Sequence, residues 1–131
     1  VSNPACTELE VVMIDWMAKI IGLPEHFISN KNAGGLIQGS CSESTLVALL
    51  AARNKAINQY QTIHPNASSY EALSKLVGYY SDQAHSSVER AGLIGMLQLK
   101  SIKSNENYEM NTSLLEQTIQ DDLNNGLVPF F

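Results

Sequence analysis

In the second half of the chain, apolar runs of strand length alternate with segments long enough for helices, and few folds accommodate that order. Leu76-Val77-Gly78-Tyr79-Tyr80 is apolar and aromatic and reads as a buried strand. Residues 86–96 suit a short helix capped by Ser86 or Ser87, and residues 97–102 suit a second strand. A last helix, capped by Asn111 or Thr112, runs through Leu114, Leu115, Ile119 and Leu123 to Gly126, ahead of strand-like residues 127–131. Strands separated by helices of this length need crossover connections. The expected fold is therefore α/β, with a mostly parallel sheet flanked by helices. Ligands of such sheets gather at the carboxyl ends of strands, where loops lead into helix N-termini. Two such junctions stand out, residues 38–44 and 81–87.

The first half reads as helical. Leu9, Val12, Met13, Trp16 and Ile20 recur at three- and four-residue steps, one face of an amphipathic helix, which assigns Met13 and Trp16 to the core. A helix-start signal stands two residues after Val1. Thr7 offers a capping hydroxyl, and Glu8 and Glu10 fall near the positive end of the helix dipole. Gly22 and Pro24 stop the helix. Residues 32–35 form a glycine-containing turn, and Leu36-Ile37 is expected as a short strand. A second helix extends from Ser42 to about Tyr60 on Leu46, Leu49, Leu50, Arg53 and Ile57, followed by a polar loop at residues 64–69.

Composition narrows the function. With 8 Lys and Arg against 13 Asp and Glu, the net charge of −5 argues against nucleic-acid or anionic-membrane binding. Cys6 and Cys41 have neither metal nor redox spacing and suit a reducing cytosol. The sequons at Asn66 and Asn111 mean nothing without a secretory route. No apolar run approaches the roughly 20 residues of a membrane span. The expectation is a soluble, cytoplasmic protein. The start at Val1 and the apolar Leu127-Val128-Pro129-Phe130-Phe131 run suggest a segment incomplete at both ends, the alternative being a small domain with a buried C-terminal strand.

Gly39-Ser40-Cys41-Ser42-Glu43-Ser44 precedes the long helix. Ser hydroxyls and unpaired N–H groups at a helix start form an anion cup suited to a phosphate, but a plain helix cap by Ser40 or Ser42 is the reading that spacing alone favours. Asp82-Gln83-Ala84-His85-Ser86-Ser87 follows a strand, where His85 could act as ligand, base or stacking ring, or be an ordinary surface residue. Asp82, His85 and Ser86 have the residue types of a hydrolase triad but stand too close together for one. His26 and His64 lack partners at metal spacing, so no metal site is expected.

Pro4-Ala5-Cys6-Thr7-Glu8-Leu9-Glu10, Gly39-Ser40-Cys41-Ser42-Glu43-Ser44-Thr45 and Ser81-Asp82-Gln83-Ala84-His85-Ser86-Ser87-Val88-Glu89 together resemble the group II decarboxylases that depend on pyridoxal 5'-phosphate (PLP). The likeness runs from Asn3 to Phe131. Gln38-Gly39-Ser40 and residues 88–95 look more like animal aromatic-L-amino-acid (DOPA) decarboxylase than histidine decarboxylase. The resemblance implies part (residues 1–131) of the large PLP-binding domain of a fold-type I, aspartate aminotransferase-like enzyme. Such an enzyme is an obligate homodimer with the active site at the subunit interface. It implies a carboxy-lyase of catecholamine formation that turns an aromatic amino acid, DOPA or 5-hydroxytryptophan in type, into its amine and CO2. Ser40, Cys41 and Ser42 correspond to the loop that holds the cofactor phosphate, with Cys41 where alanine is common. His85 corresponds to the catalytic histidine that stacks on the pyridine ring. Related insect enzymes that form aldehydes tend to have asparagine there, so His85 favours plain decarboxylation. The family's Schiff-base lysine, its pyridine-nitrogen aspartate and its catalytic loop lie beyond this segment; none of Lys19, Lys31, Lys55, Lys75, Lys100 or Lys103 sits in a matching motif. The segment alone is thus expected to be inactive. Three alternatives remain: a histidine or tyrosine decarboxylase relative, a truncated non-catalytic paralogue acting as a dimerising or regulatory partner, and a stand-alone phosphate-binding module.

Overall fold

A computed structural model describes residues 3–29 and 33–131, which divide into two compact units, Val1–Gly39 and Ser40–Phe131. The expected turn at residues 32–35 lies partly outside the described residues.

The described residues of the first unit form helix α1 (Pro4–Ile20) and a 3-10 turn, Glu25–Phe27. The cap is Asn3, whose Oδ1 accepts the Cys6 N–H at 3.3 Å, with Pro4 in the first turn, where a missing N–H costs nothing. Thr7, expected as the cap, lies a turn further in, and its hydroxyl donates to the Asn3 carbonyl at 3.4 Å. The first turn therefore holds no acidic residue, and Glu10 has a different role from the one expected. Its Oε1 accepts the Ile37 N–H at 2.6 Å. That bond replaces the strand expected at Leu36-Ile37: the segment joins no ladder, and both side chains are exposed. Gly22 ends α1 as read. At φ +74° it lets its own N–H reach the Lys19 carbonyl and lets the Leu23 N–H reach that of Ala18. Asp15 ties down the chain beyond, accepting the Ser29 N–H at 2.8 Å; hydrogen bonds from Ser29 hold its carboxyl below the ordinary range. Met13 and Trp16 are not core residues: they are 46% and 56% exposed, and Ala18 is the one buried residue of α1. Among the described residues, the one helix and one turn of this unit supply no second layer to close over an apolar stripe.

The second unit runs α2 (Cys41–Ile63), α3 (Ser69–Lys75), β1 (Leu76–Ser81), α4 (Ser87–Ile94), β2 (Gln98–Ile102), α5 (Thr112–Asn124) and β3 (Val128–Pro129). Its strands form a parallel sheet in the order β2-β1-β3, with Val77 opposite Gln98 on one side and Pro129 on the other. Bonds from the Phe130 N–H to the Val77 carbonyl and from the Tyr79 N–H to the Phe131 carbonyl carry the β1–β3 pairing to the last residue. Helix α3 is an addition to the expected elements. Ser68 caps it through the Glu71 N–H at 3.1 Å, and its seven residues are too few for a helical period to show.

Leu49 and Ala56, two turns apart on α2, form the core with Leu76, Ala91 and Leu97, and Leu99, Val128 and Phe130 pack against it. Leu99 of β2 fills a slot that two glycines leave open. A methyl group on Gly78 or Gly92 would come within 2.7 Å or 2.5 Å of its side chain. Arg53 shares the α2 stripe but acts as a polar clamp, its Nη1 donating to the Gly95 carbonyl at 2.9 Å.

Candidate functional site

At the carboxyl end of β1 the chain must turn into α4 within five residues, and nearly every polar group there is committed. The Asp82 N–H extends the ladder to the Ile102 carbonyl at 2.9 Å. Its carboxylate accepts the Ser104 N–H at 3.0 Å and lies 4.0 Å from Lys103 Nζ. Partial burial pushes that carboxyl up, but the bonds from Ser104 and Gln83 and the nearby Lys103 charge outweigh it and hold the group below the ordinary range. Asp82 thus fastens the loop after β2 and does not orient His85. A hydrolase triad has no place in this geometry.

His85 is bonded forward in sequence. Its Nδ1 accepts the Ser87 N–H at 3.2 Å and lies 3.0 Å from Ser87 Oγ. Ser86 stands at the cap position of α4, as expected, but its side chain does not make the capping bond. It is already in helical conformation, and the imidazole nitrogen performs that function. The ring itself is exposed, while Ser87 beneath it is buried.

The second junction is the start of α2. Ser40 is extended, at φ −157° and ψ 161°, and its Oγ accepts the Glu43 N–H at 3.2 Å. The cap is therefore Ser40 and not Ser42. Cys41 and Ser42 occupy the first turn, where backbone N–H groups have no carbonyl one turn back to receive them. The Cys41 side chain is an exposed free thiol. Ser42 and Leu46 of α2 and Ser87, Arg90 and Ile94 of α4 line one largely apolar cleft of about 170 Å³, which takes one serine from each junction but is not lined by Ser40, Cys41 or His85. A larger hollow of about 800 Å³ lies along the C-terminal half of α2 and β3, beside Tyr60, His64 and Phe130, and holds none of these residues.

A buried charge cluster went unread in the sequence. Asp122, only 2% exposed, accepts from Lys100 Nζ at 2.5 Å and from the Tyr79 hydroxyl at 2.9 Å. Burial pushes its carboxyl up, yet these two bonds and the Lys100 charge outweigh that and hold it below the ordinary range. Burial and the neighbouring carboxylate push the Tyr79 hydroxyl well above its own. The available signal was Asp122 falling on the Leu115–Ile119 stripe of α5, where an apolar residue belongs.

A family model described as the pyridoxal-dependent decarboxylase conserved domain matches residues 1–131. The chain is 53% identical over 133 residues to the aromatic-L-amino-acid decarboxylase of Drosophila simulans, covering 100% of this chain and 26% of that protein. Against the Mus musculus protein of the same name it is 53% identical over 132 residues, covering 99% and 28%. Among solved structures, Catharanthus roseus tryptophan decarboxylase in complex with L-tryptophan matches with a TM-score of 0.83 and 31% identity, over 99% of this chain and 27% of that one. Rhodiola rosea 4-hydroxyphenylacetaldehyde synthase matches with a TM-score of 0.79 and 36% identity, over 98% and 27%. The chain spans about a quarter of the length of these relatives. With its whole length matched by the family model and its α/β architecture shared with these structures, the chain belongs to the pyridoxal-dependent decarboxylase family.

Proposed function

We propose that the protein carrying these residues is a PLP-dependent carboxy-lyase that converts an aromatic L-amino acid, DOPA or 5-hydroxytryptophan in type, to its amine and CO2. In this reading residues 1–131 are part of its large cofactor-binding domain, and the enzyme works as a cytoplasmic homodimer. The observation that carries the proposal is the match of all 131 residues to the pyridoxal-dependent decarboxylase family, at 53% identity to aromatic-L-amino-acid decarboxylases.

The groups present fit a flat, anionic cofactor. The first-turn N–H groups of Cys41 and Ser42 and the hydroxyls of Ser40 and Ser42 would receive its phosphate, favoured by the positive end of a 23-residue helix. Contact through the backbone makes the Cys41 side chain immaterial. The exposed His85 ring, tethered through Nδ1, would lie on the face of the pyridine and fix its plane. When bound, PLP supplies an electron sink for the charge left as the carboxylate departs. The cofactor-bearing lysine belongs to the longer protein, so residues 1–131 alone would not turn over substrate.

In the full-length protein, His85→Ala should lower turnover about a hundredfold or more while cofactor absorbance stays at the wild-type level. Unchanged turnover would remove His85 from the mechanism. Product analysis bears on the second reading, which the likeness to the Rhodiola rosea synthase raises. Amine as the sole organic product supports decarboxylation; an aldehyde would replace it with the synthase reaction.

A further inference from the structure

The residue after next to His85 carries more than helix structure. A backbone N–H can only donate, so the Ser87 N–H at 3.2 Å from Nδ1 requires a lone pair on that nitrogen. The Ser87 hydroxyl, 3.0 Å from the same atom, then donates to it as well. With Nδ1 occupied as acceptor, the proton of the neutral ring resides on Nε2. The anchor is itself buried and is the first residue of α4. Among the described residues no carboxylate is hydrogen-bonded to the ring, and Asp82, the nearest acid in sequence, is bound to Ser104 and Lys103.

We propose that Ser87 is a positioning residue that fixes His85 in the Nε2–H tautomer through paired donation from its backbone N–H and its hydroxyl to Nδ1. His85 then presents an N–H donor, not a lone pair, at its outward edge, and serves a bound substrate as hydrogen-bond donor to an oxygen. The ring plane is set by the same two bonds, so the stacking face does not swing. This inference rests on the catalytic reading of His85, but its first test does not.

The test is long-range 1H–15N correlation of the histidine rings in full-length, cofactor-free protein labelled with 15N-histidine, with the His85 signals assigned by their loss in His85→Asn. The Nε2–H pattern is expected; an Nδ1–H pattern overturns the inference whatever the enzyme does. Turnover then isolates the hydroxyl. Ser87→Ala should lower kcat about tenfold with KM changed little, on the scale of one lost hydrogen bond, and Ser87→Thr should recover most of it. Visible circular dichroism of the bound cofactor should change in Ser87→Ala and return in Ser87→Thr, because it reports ring orientation. A Ser87→Ala enzyme with wild-type kcat and dichroism would overturn the positioning role. A protein with the Nε2–H tautomer that neither binds PLP nor releases CO2 would sink the proposed function and leave the tautomer assignment standing.

Discussion

Met96 holds a left-handed backbone, φ +55°, that costs an L-residue about 1 kcal/mol or more. It stands where α4 closes with the bond pattern that ends α1 and α5, its own N–H reaching the Leu93 carbonyl and the Leu97 N–H that of Gly92. Gly22 and Gly126 occupy the equivalent positions in the other two helices, and both stops were legible because glycine advertises this conformation. A methionine does not, so the sequence carried the α4 helix on to about Met96 while the structure ends it at Ile94. Met96→Gly should raise stability by about 0.5–1 kcal/mol, seen as a higher urea midpoint at unchanged slope. A lower midpoint would show that the exposed side chain contributes more than the strain costs. Asp122 is the second residue whose environment is invisible in its immediate neighbours. Its folded-state pKa lies below the unfolded value, so its pairing stabilises the protein above about pH 4 and is lost as pH falls through the lower, folded value. Asp122→Asn should cost about 2–3 kcal/mol at neutral pH and flatten the acid limb of the stability profile. Urea unfolding at pH 7 and pH 3 checks both, and parallel profiles would deny the carboxylate its role.

Elements were readable in proportion to their length and to the number of neighbours they use. Helices α2 and α5 and strands β1 and β2 each carry a period or an apolar run long enough to count, and each stands close to where it was expected. The short α3 and the missing strand at Leu36-Ile37 were misread for opposite reasons. The first is made by a capping serine and the second unmade by a glutamate, and both are single bonds that periodicity does not register. Of the candidate site, the positions of the α2 start and of His85 after β1 were legible, since such residue types sit at strand and helix ends. The bond from Ser87 to His85 was not, because adjacent serines look alike in sequence and differ only in burial. Where α4 meets β2 there is no room for a methyl group on Gly92. Gly92→Ala should cost about 1–3 kcal/mol through displacement of Leu99, and Leu99→Ala in the same chain should remove most of that penalty. Additive losses in this cycle would mean that the new methyl finds room by some other movement.

For the whole molecule, the apolar stripe of α1 is the feature that sequence periodicity misplaced. Periodicity reports which side chains share a face, not whether anything covers that face. Trp16, the only tryptophan, should report directly on this: in the 131-residue chain its emission should be that of a solvated indole, strongly quenched by acrylamide. Blue-shifted, protected emission would mean that the stripe is covered in solution. No helix among the described residues is long and apolar enough to cross a membrane, so the exposed stripe is no transmembrane segment. The Leu99 slot has a consequence of another kind. Positions 78, 92 and 99 share one volume, so mutation cannot explore them one at a time. A lineage that gains a side chain at 92 must first shorten the residue at 99, whereas at 78 the backbone and side chain of Phe131 crowd a new methyl as well. The three positions should therefore drift as a single heritable unit, with the order of the changes fixed by sterics.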